Sequence, residues 1–123
     1  MVDLFAGPGG LGEGFAGYKN ASGQAVFKTA SSIEKDEDAH NTLLLRHFFR
    51  SFKYEDVPES YYQYLAGEIT KDSLIKQHPE QWLEASNSAL HISLGPNNHD
   101  KVKTLINRRI GNSKKWVLVG GPP

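Results

Sequence analysis

The chain has 123 residues, no net charge at pH 7, 38% hydrophobic and 23% charged residues, and no cysteine. Its length suffices for one domain with a core of its own. The composition excludes a disulfide framework, a zinc–thiolate site and a thiol nucleophile within these residues; no apolar run approaches the ~20 residues of a membrane-crossing helix, and the balanced charge argues neither for nor against a nucleic-acid partner.

From the N-terminus, Met1 to Ala6 is apolar except for Asp3 and predicts a short buried strand, which a Gly/Pro cluster stops. Leu11, Phe15 and Tyr18 then fall at helical spacing, with Gly17 and Asn20 near the stop. Gln24 to Ile33 holds Val26, Phe27 and Thr29 and predicts a second strand ending at Glu34. Asp36 to Arg50 predicts a helix: Asp36, Glu37 and Asp38 load its first turn, Arg46 and Arg50 its last, and Ala39, Leu43, Leu44 and Phe48 form its apolar face. Pro58 suits a first helical position, and the following Tyr61, Tyr62, Tyr64 and Leu65 read as helix-to-sheet packing rather than a base-stacking platform.

Gly67-Glu68-Ile69-Thr70 reads as a break or as the tip of a third strand. Residues 71–113 are the least legible. Within them Pro79 to Ala89 predicts a helix with Trp82 and Leu83 inward, Gly95-Pro96-Asn97-Asn98 a turn, and His99 to Ile110 a helix capped by Gly111. Trp116 to Val119 predicts a central strand running into Gly120-Gly121-Pro122-Pro123. The histidines at 40, 47, 78, 91 and 99 lack metal-ligand spacing and read as structural or surface residues. Arg108, Arg109, Lys114 and Lys115 read as a solvated helix end, with contact to DNA phosphates as the alternative.

Strand, glycine turn, helix, strand, helix and a later buried strand make an α/β pattern with a parallel, partial doubly wound sheet of expected order 3-2-1-4. The last strand would then be an open edge, so the chain is expected to be a fragment of a longer protein. No charged-then-apolar leader opens the sequence, which leads us to expect a cytoplasmic protein.

Gly7, Gly9 and Gly12 spell G-x-G-x-x-G after the first strand. Glycines there allow a sharp turn and let a ligand lie on bare backbone beside helix amides. Glu34, ~20 residues on, can accept hydrogen bonds from both ribose hydroxyls. The spacing serves a dinucleotide, whose pyrophosphate wants the helix N-terminus, or S-adenosylmethionine, whose carboxylate can use the same amides. It does not separate them.

The flanking residues carry a resemblance. Asp3-Leu4-Phe5-Ala6-Gly7-Pro8-Gly9-Gly10-Leu11, with Gly14-Phe15, resembles the first motif of the DNA (cytosine-5) methyltransferases. Ser32-Ile33-Glu34-Lys35-Asp36 is similar to their second motif, and Gly120-Gly121-Pro122-Pro123 to the start of the fourth, where a Pro-Cys pair carries the nucleophile. The resemblance implies the Rossmann-like S-adenosylmethionine-dependent methyltransferase fold. It places Phe5 against the cofactor and the backbone of Ala6, Gly7, Gly9, Gly10 and Leu11 around the methionine portion. Glu34 would hold the ribose, Lys35 flank the adenine, and Pro123 lie by the methyl end. Glu68-Ile69 is similar to the acid-Ile pair of the third motif, with Glu for the family's Asp; a surface loop is the other reading.

In that family a cysteine thiolate adds to carbon 6 of a flipped cytosine, and carbon 5 then takes the methyl group. The nucleophile is expected just after Pro123. The resemblance therefore implies one partial domain over residues 1–123, the cofactor-binding part of such an enzyme, inactive alone. Residues 71–113 are expected to be a helical insertion matching no family motif. The implied partners of the intact enzyme are double-stranded DNA and a cognate restriction endonuclease system, with no metal and no membrane. A dinucleotide-binding oxidoreductase domain, and a catalytically dead module that binds cofactor or a partner protein, are the competing readings.

Overall fold

The computed structural model describes residues 1–122. Four short strands, β1 (Val2–Leu4), β2 (Ser31–Glu34), β3 (Ala89–His91) and β4 (Leu118–Gly120), pair in parallel in the order β3-β2-β1-β4. Helix α1 (Gly10–Gly17) joins β1 to β2, and α6 (His99–Ile110) precedes β4. Between β2 and β3 run α2 (Glu37–Arg50), α3 (Glu59–Leu65), α4 (Lys71–Gln77) and α5 (Pro79–Ser88). This is the 3-2-1-4 order expected from the sequence, and it fits a Rossmann-like methyltransferase fold.

The helices begin and end where side chains satisfy their free backbone groups. Asp36 caps α2, its Oδ1 accepting from the Ala39 amide at 2.8 Å. Thr70 caps α4 through the Ser73 amide at 3.1 Å, Pro79 opens α5, and Gly111 ends α6 with φ 58°. Leu43, Leu44 and Phe48 form the buried face of α2 and meet Leu74, Ala85, Ala89 and Ala6. Phe48 is fully buried, with the rings of Phe52 and Trp82 at 5.2 and 5.5 Å. A phenyl ring so placed contributes roughly 2–3 kcal/mol of burial.

A polar bridge crosses this layer. His47 lies between Ser88 Oγ, 2.8 Å from Nδ1, and Ser32 Oγ, 3.0 Å from Nε2. Ser88 donates its one hydroxyl proton to the carbonyls of Glu84 and Ala85. It therefore accepts from Nδ1–H, and Nε2 accepts from Ser32. Burial lowers the His47 pKa to about 4; among its charged neighbours Glu13 and Glu84 raise it, while Arg109 and His40 lower it. Arg109 also ties α6 to the body, donating to the Ala30 carbonyl at 2.9 Å and pairing with Glu84 at 2.6 Å.

Several expectations need correction. The second strand begins at Ser31, not Gln24; residues 24–30 are irregular, held to the chain before them by a Lys19–Ala25 bridge, the Val26-to-Tyr18 backbone bond and the Phe15–Phe27 ring contact. Ala30 donates to the Met1 carbonyl, so regular pairing with β1 starts only after it. Pro58 is the cap of α3 rather than its first residue. In α5, Trp82 turns inward but Leu83 is exposed. Of the aromatic cluster, Tyr61 and Tyr64 pack on the core while Tyr62 and Leu65 face solvent.

The largest departure concerns Gly67-Glu68-Ile69-Thr70. It is the connection between α3 and α4, not a strand tip: Gly67 takes φ 76°, Glu68 is exposed and Ile69 packs on the core cluster. The third strand is Ala89–His91, inside the segment read as a helical insertion. That segment thus supplies α4, α5, α6 and the outer strand of the sheet.

Candidate functional site

The carboxyl ends of β1 and β2 open onto a cavity of about 260 Å³ lined by Phe5, Ile33, Glu34, Lys35, Ile92, Ser93, Leu94 and Gly121. This is the position where open parallel sheets take ligands. After β1 the chain turns through positive φ at Phe5 (56°), Gly7 (56°) and Gly9 (95°). For a phenylalanine that conformation costs roughly 1–2 kcal/mol, and Phe5 is 40% exposed at the cavity wall. A strained, exposed aromatic residue at a strand end is a mark of a ligand-contacting position.

Glu34 closes the turn. Its Oε2 accepts from the Gly7 amide at 2.7 Å, and its Oε1 from the amides of Lys35 and Asp36, both at 2.8 Å. Burial alone would raise its pKa, but the three amides outweigh burial and hold the carboxyl below its usual value. An ionised carboxylate has about four acceptor positions. Oε1 has two donors and Oε2 one, so Oε2 keeps one acceptor position. One incoming hydroxyl is accommodated directly, a second only if an Oε1 amide gives way.

Beyond the turn, Gly9 is the N-cap of α1 and no side chain caps that helix. Additional Cβ atoms at Gly7, Gly10 and Gly121 would meet nothing within 4 Å, so bare backbone faces open space on both sides of β1. On the buried side, Asp3 lies against Gly12 of α1, and neither of its oxygens has a donor in good hydrogen-bond geometry. Burial raises the Asp3 pKa, with the Gly12 amide opposing it.

The structure therefore brings Phe5, Gly7, Glu34 and Lys35 together at one cavity edge. Gly9, Gly10 and Leu11 follow at the start of α1, where Leu11 is exposed, and Ala6 is buried in the core. Glu68 and Ile69 lie elsewhere, on the α3–α4 connection. Pro123 is outside the described residues. Ile92, Ser93 and Leu94, directly after β3, line the cavity instead, beside Glu34, whose carbonyl accepts from the Ile92 amide at 3.0 Å. Among the described residues no group of three or more His, Cys, Asp or Glu side chains could hold a metal, and no helix is long and apolar enough to cross a membrane.

No protein-family model matches the chain, and no solved structure does. A curated protein of Bacillus paralicheniformis, the Type II methyltransferase M.Bpa9945I, is 27% identical over 140 aligned residues, which take in 100% of this chain. The likeness is to a methyltransferase. The chain spans 30% of the length of that relative.

Proposed function

We propose that the chain is the cofactor-binding part of an S-adenosylmethionine-dependent DNA (cytosine-5) methyltransferase. The observation that carries this reading is the Glu34 carboxylate, held by three backbone amides at the end of β2, one of them the Gly7 amide of the glycine turn, and lining one cavity with Phe5. The likeness to a Type II methyltransferase supports the methyl-transfer part of this reading. Bound there, S-adenosylmethionine supplies an activated methyl group. Glu34 takes the ribose with its free Oε2 lone pair, and Phe5 and Lys35 bound the nucleoside. The amides at the start of α1 receive the carboxylate, and Gly121 leaves room beside β4. Double-stranded DNA, a companion restriction endonuclease and a cytoplasmic setting belong to this proposal for the intact protein.

The 123 residues contain no cysteine. Covalent addition to a cytosine ring therefore needs a thiol from outside them, and the chain alone is expected to bind cofactor without turning over. Calorimetric titration with S-adenosylhomocysteine and with NAD tests the reading. Tighter binding of S-adenosylhomocysteine, abolished in Glu34→Ala, is the expected result; preference for NAD refutes it.

A further inference from the structure

A second cavity, of about 660 Å³, lies behind the glycine turn, between α1, α2, α5 and the irregular segment before β2. It shares no lining residue with the first cavity. Its size is that of small-molecule sites, and its wall is chemically uneven. Two carboxylates line it, and both are already engaged: Glu13 by Arg50 at 2.6 Å and Glu84 by Arg109 at 2.6 Å. Two further cations, Lys28 and Arg46, have neither an ion-pair nor a side-chain hydrogen-bond partner among the described residues. The wall thus carries two cations without a close partner, although Lys28 is near enough to Glu84 to help lower its pKa. Phe27, Phe52 and Leu43 provide apolar surface beside it.

We infer that this cavity is a binding site for a small organic anion, a carboxylate or phosphate group on an apolar body, with Arg46 and Lys28 as its anion receptors. Arginine presents a planar fork that grips such groups with two parallel bonds, and lysine adds a point charge. Arg46 lies next to the glycine turn: its Cδ is 3.2 Å from where a Cβ would stand on Gly9. His47 at the floor has both nitrogens occupied by Ser32 and Ser88 and contributes shape rather than charge at neutral pH. The inference does not depend on what the first cavity holds.

The test is an NMR titration of the 123-residue chain with phenyl phosphate, with inorganic phosphate as the anion without an apolar body and sodium chloride as the ionic-strength control. Phenyl phosphate is expected to give saturable shifts at Gly9, Arg46 and His47 that sodium chloride does not reproduce, and to bind more tightly than inorganic phosphate. Arg46→Gln weakens that binding at least about tenfold, as loss of a charged hydrogen-bond partner does, and Arg46→Lys restores part of it. Lys28→Gln, on an exposed segment whose loss leaves the core untouched, weakens it as well. Shifts that do not saturate, equal binding of the two phosphates, or full binding by a folded Arg46→Gln or Lys28→Gln protein overturns the inference.

Discussion

Acidification from pH 7 to pH 5 acts on His47 before it acts on most carboxylates, which makes this residue a clean probe of the α2–sheet layer. Its pKa is about 4 in the fold, against an ordinary 6.5, chiefly because the imidazole is buried between α2, β2 and α5. With the folded value below the unfolded one, the unfolded chain takes up a proton as pH falls through 6.5, and the native state does not follow until about 4. Stability is therefore greatest above 6.5, falls through this window and levels off below it. Linkage between these two values gives a loss of about 2 kcal/mol from pH 7 to pH 5. Urea unfolding at the two pH values, for the native sequence and for His47→Gln, measures it. The glutamine amide is uncharged throughout, so the substituted chain should lose about 2 kcal/mol less over the same interval. Equal losses in both chains would show that His47 is solvated and that the Ser32–His47–Ser88 bridge does not exist as described.

Three further outcomes follow from single residues. Glu34→Gln removes an ionised acceptor from the amides of Gly7, Lys35 and Asp36; affinity for S-adenosylhomocysteine falls by about 1.5–3 kcal/mol in calorimetry. Gly9→Ala forces a side chain onto φ 95°, with its Cβ 2.9 Å from Leu43 Cδ1; thermal unfolding should show a loss of about 1–2 kcal/mol. Asp3→Asn removes a buried carboxylate whose pKa is raised above 3.8 by burial. A raised folded value favours the native state at low pH and penalises it as pH climbs from the unfolded value through the folded one. The amide variant should therefore melt higher at pH 7 and lose that part of the pH dependence, which paired thermal scans at pH 3 and pH 7 would read.

What could be read from the sequence was local. The glycine turn, Glu34 and the capped helix after Asp36 are contiguous signals, and each lies where its residues predict. The strand order followed from chain handedness rather than from any residue. The third strand was not legible because Ala89–His91 is three residues long and follows α5 with no glycine or proline between them. Gly67 supplied the punctuation elsewhere and drew the acid-Ile pair with it. Ile92, Ser93 and Leu94 enter the cavity because they directly follow the strand Ala89–His91. The burial of His47 did leave a trace: it sits four residues after Leu43 and beside Phe48, on the apolar face of α2. The second cavity left none, since its wall is gathered from four separate parts of the chain.

The register of β1 bears on how the chain acquires its shape. Val2 pairs with Ser31 on one side and with Leu118 on the other, so the innermost strand of the sheet is completed by almost the last residues described. Helices such as α2 and α5 can form and meet from neighbouring sequence, whereas closing this sheet requires joining remote stretches at a large entropy cost. The sheet's centre should be the late event in folding. During synthesis, Val2 and Leu4 would wait with one edge unpaired until Leu118 arrives, a long interval in which an apolar strand is open to wrong partners.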